Sequence, residues 1–391
     1  MGQGYRGQSY RSQGYQDENY MPIERLVFQG LRNLQALDVS PGPRINLISG
    51  ANGSGKTSLL EGIHILGMGR SFRARRLPQV ITHDADAVTL HGRLSTDPPT
   101  TIGIRRQRDH SDLLMKVSGE KVERIADLVE TLPMQLINPD AFRLLEGPPA
   151  GRREFLDWGV FHVKHDFIGA WQRFRRALKH RNALLRHGRM DDASLNVWEH
   201  ELAQWGNRLD ELRAEWVEAF LPVFEETLEG LISMPGLRLR YSRGWDRQRE
   251  LADVLHQARD TDRQMGFTQQ GPQRADLGIR LNKRPAVEVL SRGQQKLVVS
   301  ALKLAQGRLL ERTTGRTCLY LIDDLPAELD RTHRAVFCQW LERMQCQAFI
   351  TSVDHEVLAN LWQDTTPVAM FHVKHDAEGA GQLQAIDRQT S

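Results

Sequence analysis

A glycine-rich segment near the amino terminus has the residue types and spacing of a phosphate-binding loop. Residues 50–57 read GANGSGKT and match the pattern G-x-x-x-x-G-K-[ST]. In such a P-loop, backbone N–H groups surround the phosphates, the lysine meets the β- and γ-phosphates, and the hydroxyl ligates Mg²⁺. The residues that we predict to bind a nucleotide are Gly50, Ala51, Asn52, Gly53, Ser54, Gly55, Lys56 and Thr57.

A pair of carboxylates follows an apolar stretch in the last quarter of the chain. Residues 319–324 read LYLIDD. The first acidic residue after such a strand holds Mg²⁺ beside the P-loop hydroxyl, and a second one can orient the attacking water. We therefore predict Thr57 and Asp323 as metal ligands. Asp323, Asp324 and Lys56 form the predicted catalytic set.

A polar segment stands at the head of a long apolar helix. Residues 290–294, here called the signature segment, read LSRGQ. A helix amino terminus has unpaired N–H groups and a partial positive charge, so it can hold an anion. We expect Ser291, Gly293 and Gln294 to bind the γ-phosphate. The simpler alternative is that Ser291 only caps the helix.

The elements around these residues have the order that a nucleotide site requires. A strand, INLIS, precedes the P-loop, and an amphipathic helix, KTSLLEGIHIL, follows it. AVTLHGRL and TIGIRRQR indicate antiparallel strands, whereas QLIN, CLYLIDDL and QAFITS are typical of buried strands. Because these strands occur in both halves of the chain, we predict one split α/β domain whose two segments share a core.

A helix-rich segment lies between the two halves. It contains REFLDWGVFHVKHDFIGAWQRFRRALKHRNALLRH and VWEHELAQWGNRLDELRAEWVEAFLPVFEETLEGLI. Trp198 and Trp205 are one heptad apart, which favours packing between helices over stacking on bases. A further helical piece follows GLRLRYSRGW, and we expect the polar residues from there to Leu290 to form loops.

Composition excludes several other classes of protein. Hydrophobic residues make up 40% and charged residues 26% of the 391 residues, as in globular proteins with two or three domains. No apolar run approaches a membrane span, and no apolar segment of a signal peptide opens the chain, so we expect no membrane and a cytoplasmic location. The three cysteines have no metal-ligand spacing. A net charge of +3 permits nucleic-acid binding without arguing for it.

The P-loop, the signature segment and the Asp-Asp strand, in this order, resemble those of the ABC-type ATPases. In these proteins the signature of one protomer closes over the γ-phosphate held by the P-loop of the other. The resemblance implies ATP and Mg²⁺ as cofactors and a homodimer held together by ATP. It also places a D-loop at residues 328–330 and suggests Gln135 as the Q-loop ligand. Where a switch histidine is expected, the chain has Thr351 and Ser352, so the later His355 is left out of the catalytic set.

Longer segments narrow the resemblance to one family, and the match extends from about Met21 to the carboxyl terminus. FQGLRNL, GANGSGKTSLLEGIHILGMGRSFR, RREFLDWGVFHV, RRALKHRNALL, TQQGPQRADL, LSRGQQK and LIDDLPAELD resemble the RecF family of bacterial recombination mediators. This implies an ABC-type P-loop ATPase head with a mixed sheet and an inserted helical arm. It also implies an ATP-dependent clamp on double-stranded DNA at single-strand gaps or junctions. Such a clamp acts with RecR and RecO, and indirectly RecA, in repair, replication-fork restart and the SOS response.

Composition, the pattern of strands and helices, and this resemblance together predict four segments, the first of which is a departure from the family. They are a disordered low-complexity leader over 1–20, a first ATPase segment with the P-loop over 21–140, a helical arm over 141–270, and a segment over 271–391 that carries the signature and completes the ATPase lobe. Asp324 replaces the glutamate of most transporters and is one methylene shorter, so we predict slow, DNA-stimulated ATP hydrolysis.

Basic residues on one face are candidates for contacts with DNA phosphates. The first group is Arg70, Arg73, Arg75, Arg76, Arg152 and Arg153. A second group in the arm is Arg173, Arg175, Arg176, Lys179 and Arg181. The alternative to DNA contact is that these residues form ordinary solvated helix faces. For Arg70 and Arg73, a second alternative is a contact with the nucleotide.

Two other functions have the same motifs, namely the ATPase subunit of a membrane transporter and an SMC-like structural ATPase. The length between Asn138 and the signature segment separates them. It exceeds the helical insert of a transporter subunit and is too short for the long coiled coil of an SMC protein.

Overall fold

The computed structural model describes residues 20–110, 112–186, 192–354, 356–375 and 381–386. Nearly all of the predicted leader (residues 1–19) and also His355 lie outside these residues. The strands, numbered in chain order, are β1 (Ile23–Leu31), β2 (Leu34–Val39), β3 (Ile45–Ser49), β4 (Ala87–Leu94), β5 (Thr100–Gln107), β6 (Leu113–Val117), β7 (Glu120–Val122), β8 (Met134–Ile137), β9 (Leu237–Ser242), β10 (Asp276–Leu281), β11 (Arg284–Pro285), β12 (Leu319–Ile322), β13 (Ala348–Ser352), β14 (Val368–His375) and β15 (Gly381–Ile386).

The α-helices are numbered in the same way. They are α1 (Lys56–Met68), α2 (Ile125–Thr131), α3 (Arg143–Glu146), α4 (Pro149–Val163), α5 (Phe167–Arg186), α6 (Asp192–Leu231), α7 (Leu251–Gln257), α8 (Arg259–Met265), α9 (Ala286–Val289), α10 (Arg292–Thr314), α11 (Leu325–Glu328), α12 (Arg331–Arg343) and α13 (Glu356–Ala359). Within the described residues, none of them is long and apolar enough to cross a bilayer.

The first sheet is antiparallel, with the order β2-β1-β4-β5-β6-β7. Its strands alternate buried and exposed residues, as expected for a sheet with one face on a core. Leu26 and Phe28 of β1 are fully buried, whereas Arg25 and Gln29 of the same strand are exposed. The buried face packs on α1, the helix that starts in the P-loop.

The second sheet carries the candidate site and has the order β15-β14-β3-β13-β12-β8. Strands β14, β3, β13, β12 and β8 are parallel, and β15 is antiparallel at the edge. Ser49 pairs with Ser352, and Ile322 pairs with Ile137, so the carboxyl ends of these strands lie together. Strands from both halves of the chain build this sheet. The predicted split α/β ATPase head with a mixed sheet is thereby confirmed.

Between the two halves, α4, α5 and α6 form the helical part of the arm. Trp216 on α6 is buried against Gly159 of α4 and stacks on Phe220. The expectation of loops before Leu290 is wrong. Strands β9, β10 and β11 form a three-stranded sheet, and the predicted boundary at residue 270 passes between two of its strands.

Arg181, expected on the basic surface of the arm, lies instead in its interior with no exposed surface. Its guanidinium donates hydrogen bonds to Glu199 at 2.9 and 3.1 Å, to Asp262 at 2.7 Å and to the Thr268 hydroxyl at 2.7 Å. A buried cation needs such partners to offset its desolvation. Arg181 therefore ties α5, α6 and α8 together and is unavailable to DNA.

Candidate nucleotide-binding site

The P-loop lies between the carboxyl end of β3 and the start of α1, and its glycines permit that turn. Gly55, with φ at 119°, ends the loop directly before α1. At Gly50, with φ at 151°, a Cβ atom would lie 2.6 Å from the Val373 carbonyl oxygen. Side chains at these positions would strain the turn. A cavity of about 640 Å³ opens over the loop, with Lys56 and Thr57 on one side and Asp323 on the other.

Lys56 is buried within the loop that it is predicted to serve. Its Nζ donates hydrogen bonds to the carbonyl oxygens of Gly50 at 2.7 Å and Ala51 at 2.9 Å. Burial lowers the pKa of Lys56, and the nearby charges of Asp324 and Asp323 oppose this shift. Its ammonium is thus held at the loop mouth, where β- and γ-phosphates lie in P-loop proteins.

The predicted metal ligands are brought together from opposite ends of the chain. The Thr57 hydroxyl donates to the two carboxylate oxygens of Asp323 at 3.0 and 3.1 Å. A hydroxyl and a carboxylate are hard oxygen donors that suit Mg²⁺, which usually takes its remaining ligands from water and phosphate. The two side chains fit such an ion. No cluster of three His, Cys, Asp or Glu residues that could form an all-protein metal site occurs among the described residues.

Thr351 holds both aspartates and was not among the predicted site residues. Its hydroxyl donates to Asp323 Oδ1 at 2.8 Å and accepts from the Asp324 N–H at 2.8 Å. Asp324 has left-handed backbone angles, with φ and ψ both at 54°. Such a conformation persists in a non-glycine residue when its surroundings fix it. The signal in the sequence is a threonine near the end of the strand beside the Asp-Asp strand.

A second network beside the cavity also escaped the sequence analysis. Glu61 on α1 has no exposed surface and accepts two hydrogen bonds from Arg32, each of 2.9 Å. It also accepts from the Ser71 hydroxyl, and Arg73 lies 3.9 Å away. Arg32 and Arg73 line the cavity. Glu61 therefore holds two arginines at the cavity wall, of which Arg73 was predicted to contact either DNA or nucleotide.

The predicted Q-loop ligand is in the wrong place for that role. Gln135 is 2% exposed, and its Nε2 donates to Gln306 Oε1 at 2.8 Å. Among the described residues that line the cavity, Pro139 is the nearest one after β8. Gln135 points into the core between β8 and α10 because a strand alternates its side chains. We therefore remove it from the predicted nucleotide ligands.

The signature segment lies apart from the cavity of its own chain. Ser291 and Gln294 form a reciprocal capping box, with Ser291 Oγ accepting from the Gln294 N–H at 3.3 Å and Gln294 Oε1 accepting from the Ser291 N–H at 3.0 Å. Ser291 and Gly293 are exposed. No residue from 290 to 294 belongs to the cavity lining within the described chain. Ser291 thus caps α10 in the single chain, and its phosphate, if it binds one, is not the one above Lys56.

The basic candidates divide into exposed and paired residues. Residues 70–76, here called the basic loop, expose Arg70, Arg73, Arg75 and Arg76. Arg152, by contrast, pairs with Asp276 through two hydrogen bonds of 2.7 and 3.1 Å, and its side chain is 13% exposed.

Arg153 is also engaged, because it donates to the Ala275 carbonyl oxygen at 2.9 Å. Both Arg152 and Arg153 therefore join α4 to the start of β10, and we withdraw them as phosphate contacts. In the arm, Arg173, Arg175, Arg176 and Lys179 are exposed.

Comparisons with known proteins agree with this geometry. A family model described as RecF/RecN/SMC N terminal domain matches residues 22–378. The chain is 69% identical over 355 residues to the DNA replication and repair protein RecF of Chromohalobacter salexigens, covering 91% of this chain and 98% of that protein. It is 51% identical over 356 residues to the protein of the same name in Stutzerimonas stutzeri, covering 91% and 96%.

Solved structures show the same fold. A structure of the recombination mediator protein RecF-ATPrS in the RecFOR pathway superposes with a TM-score of 0.81 at 23% identity, over 95% of this chain and 100% of that one. An SmcHead bound to the C-winged helix domain of ScpA superposes with a TM-score of 0.59 at 15% identity, over 94% and 98%.

Proposed function

The chain belongs to the RecF family, and we propose that it is an ATP-dependent DNA clamp of the RecFOR pathway. In this proposal it binds ATP and Mg²⁺, dimerises on ATP, and holds double-stranded DNA at single-strand gaps or junctions. It acts in the cytoplasm with RecR and RecO, and indirectly with RecA, in repair, replication-fork restart and the SOS response. One observation carries the proposal. The nucleotide cavity is formed, whereas the signature segment of the same chain is exposed, caps α10 and does not line that cavity.

The side chains of the cavity have distinct tasks in this reaction. Lys56 binds the β- and γ-phosphates, and Thr57 and Asp323 would hold Mg²⁺, which supplies charge neutralisation at the phosphates. Asp324 orients the attacking water as the first residue beyond Asp323. Thr351 fixes the backbone of Asp324 and the carboxylate of Asp323 through the same hydroxyl. Because the Asp324 side chain is short and positions water less closely, we propose that hydrolysis is slow. We also propose that DNA stimulates it.

A second copy of the chain supplies what the cavity lacks. An exposed helix amino terminus with a serine hydroxyl is a site for an anion, and the signature segment has both features. When two chains face each other, the signature of each one closes over the γ-phosphate of the other. ATP then joins the chains, because each phosphate contacts both, and its binding free energy stabilises the dimer.

DNA contacts in this proposal come from the exposed arginines of the basic loop and of α5. These groups neutralise phosphates without reading sequence, which suits a protein that recognises a DNA structure. Arg70 carries an ion pair with Glu154 at 3.4 Å between two exposed side chains, so DNA can replace that partner at small cost.

Sedimentation of the chain with ATP, with ADP and without nucleotide, each with and without duplex DNA, tests the proposal. We expect a monomer that dimerises only with ATP and then binds the duplex. A chain that binds ATP yet remains a monomer would leave Ser291 as a helix cap and would exclude the clamp. Dimers that bind no DNA would leave the ATP-dependent dimer in place and would exclude the DNA clamp.

A further inference from the structure

The amino-terminal part of α10 contacts the wall of the nucleotide cavity in its own chain through Lys296, the fifth residue of the helix. Lys296 Nζ donates a hydrogen bond to the Ala327 carbonyl oxygen at 3.0 Å and lies 3.2 Å from Glu328 Oε2. Ala327 and Glu328 both line the cavity. A single side chain therefore joins the helix that carries Ser291 at its head to the cavity of the same chain.

The contacted element is α11, which begins directly after Asp324. The Ala327 and Glu328 N–H groups both donate to the Asp324 carbonyl oxygen, at 3.0 and 3.3 Å. One hydrogen-bonded turn thus separates the candidate water-orienting carboxylate from the contact with Lys296. A shift of this turn would act on the Asp324 carbonyl group, to which both N–H groups are bonded, while Thr351 holds the Asp324 N–H.

The contact between Lys296 and Glu328 is an ion pair, because Glu328 Oε2 is buried and accepts no hydrogen bond from the described residues. The Glu328 side chain is 8% exposed and that of Lys296 is 27% exposed. The ammonium also lies 5.5 Å from the centre of the Phe142 ring, in the segment that follows β8. Removing the ammonium would leave a buried carboxylate without a partner charge, which is costly. The start of α10 and the turn of α11 are therefore held together.

We propose that Lys296 couples the two composite ATP sites of the dimer, an inference that rests on the dimer proposed above. When Ser291 engages the γ-phosphate held by the partner subunit, the first turn of α10 shifts towards that phosphate. Lys296 carries α11 with it and places Asp324 against the water in the chain's own cavity. Lys296 is a positioning residue. Occupancy of one site raises the rate of hydrolysis at the other.

A purely local role makes a different prediction. A lysine beside the last carbonyl groups of a short helix also stabilises that helix by charge and hydrogen bonding. In that case the loss of Lys296 would lower the stability of the chain, and the two ATP sites would remain independent. Dimers with one disabled P-loop separate the two roles.

The test uses mixed dimers of an intact chain and a Lys56→Ala chain, isolated in ATP through two different affinity tags. The signature of the intact chain then faces a P-loop without ATP, while its own cavity still holds nucleotide and the other chain's signature. Independent sites give half of the homodimer rate per dimer. Coupling through Lys296 gives a rate about fivefold or more below that half.

The Lys296→Met substitution keeps the apolar stem and removes the ammonium. The substitution is introduced into the intact chain of the mixed dimer and into both chains of a matching homodimer. The hydrolysis rate of this mixed dimer is then expected to be half that of its homodimer, and both rates are expected to be lower than without the substitution. Lys296→Arg is expected to keep the coupling, and Lys121→Met, at an exposed lysine of β7, to change nothing. The double variant Lys296→Met with Glu328→Gln removes the unpaired carboxylate, and it is expected to remain uncoupled.

The possible negative outcomes can be told apart. If the unmodified chain forms no dimer with ATP, the proposed clamp is rejected before any rate is compared. If the dimer forms and the unmodified mixed dimer runs at half the homodimer rate, the coupling is rejected and the clamp stands. A low ratio that persists in Lys296→Met rejects the assignment to this residue. If mixed dimers do not assemble, a Lys296→Met homodimer with the unmodified rate per dimer overturns the proposal.

Discussion

The nucleotide cavity and the signature segment belong to one predicted site, yet they differ in how they are held. In the cavity, Thr57, Asp323 and Thr351 are already bonded to one another across three elements. In the signature segment, the side chains of Ser291 and Gln294 bond to each other's backbone N–H groups, and Ser291 is exposed. The difference teaches that a single chain preorganises the cavity but not the signature segment. In the proposed dimer, the signature segment of a second chain completes the site at the γ-phosphate.

Loss of the ammonium in the cavity should have the largest effect. We expect Lys56→Ala to lower ATP hydrolysis by about 100-fold or more, because no other described residue holds a cation between the P-loop carbonyls and the phosphates. Both ATP affinity and dimer formation should fall with it. Titration with a fluorescent ATP analogue measures the affinity, and a variant that binds ATP normally would contradict the role of the P-loop lysine.

A substitution in the signature segment tests whether this segment serves the site of a second chain. We expect Ser291→Arg to abolish ATP-dependent dimerisation while the affinity of the monomer for ATP changes less than about twofold, because Ser291 lies outside its own cavity. Sedimentation and nucleotide titration on the same sample measure the two quantities. Ser291→Thr is the control, since it keeps the hydroxyl and the cap. A tenfold weaker affinity in the monomer would show that the segment serves its own site.

The hydroxyl of Thr351 offers a sharper test of preorganisation. Thr351→Val keeps the shape and removes a group that bonds both Asp323 and Asp324. We expect the hydrolysis rate to fall about tenfold, corresponding to about 1.4 kcal/mol, with ATP affinity nearly unchanged. Thr366→Val, at a threonine bonded to Glu342, is the matched control elsewhere in the chain. Equal losses for both variants would indicate a general effect on folding.

The smallest expected effect distinguishes exposed from paired arginines. Arg75→Ala should reduce the salt dependence of duplex binding by about 0.9 in the log–log slope and change the free energy of unfolding by less than about 0.5 kcal/mol. Arg152→Ala should do the reverse, leaving the slope unchanged and costing about 3 kcal/mol, because it leaves Asp276 without its partner. Binding at several salt concentrations and denaturant unfolding measure both. Equal salt-dependence slopes of duplex binding for both variants would contradict the distinction between exposed and paired arginines.

Local pattern was informative where chain neighbours fix the outcome. The spacing of Gly50, Gly55 and Lys56 specifies a loop whose conformation depends on its own backbone, and the structure forms it there. Apolar runs predicted four of the six strands of the second sheet, β3, β8, β12 and β13, because a strand buried on both faces is apolar over its whole length, whereas β14 and β15 were not predicted. The burial of Arg181 was also readable, since it shares a face of α5 with Phe174, Ala177 and Leu185 at helical spacing.

Partners from distant parts of the chain were not readable in the same way. Gln135 is an acceptable Q-loop residue by position, and only the approach of Gln306 on α10 shows that it is a core residue. Arg152 looks like a basic surface residue until β10 brings Asp276 against it. Glu61 has no motif of its own, because its importance depends on Arg32 and the basic loop meeting at one side of α1.

The sequence by itself determined the family, the mixed α/β head, the position of the P-loop and the position of Asp323, because short motifs carry their own backbone geometry. Tertiary structure alone decided which of the candidate basic residues are exposed and which are paired, and that Thr351 joins the two aspartates. It also decided that Lys296 reaches from the signature helix to the cavity. The reason is physical, since exposure and side-chain contacts depend on which distant segments pack together, and a linear pattern does not contain that choice.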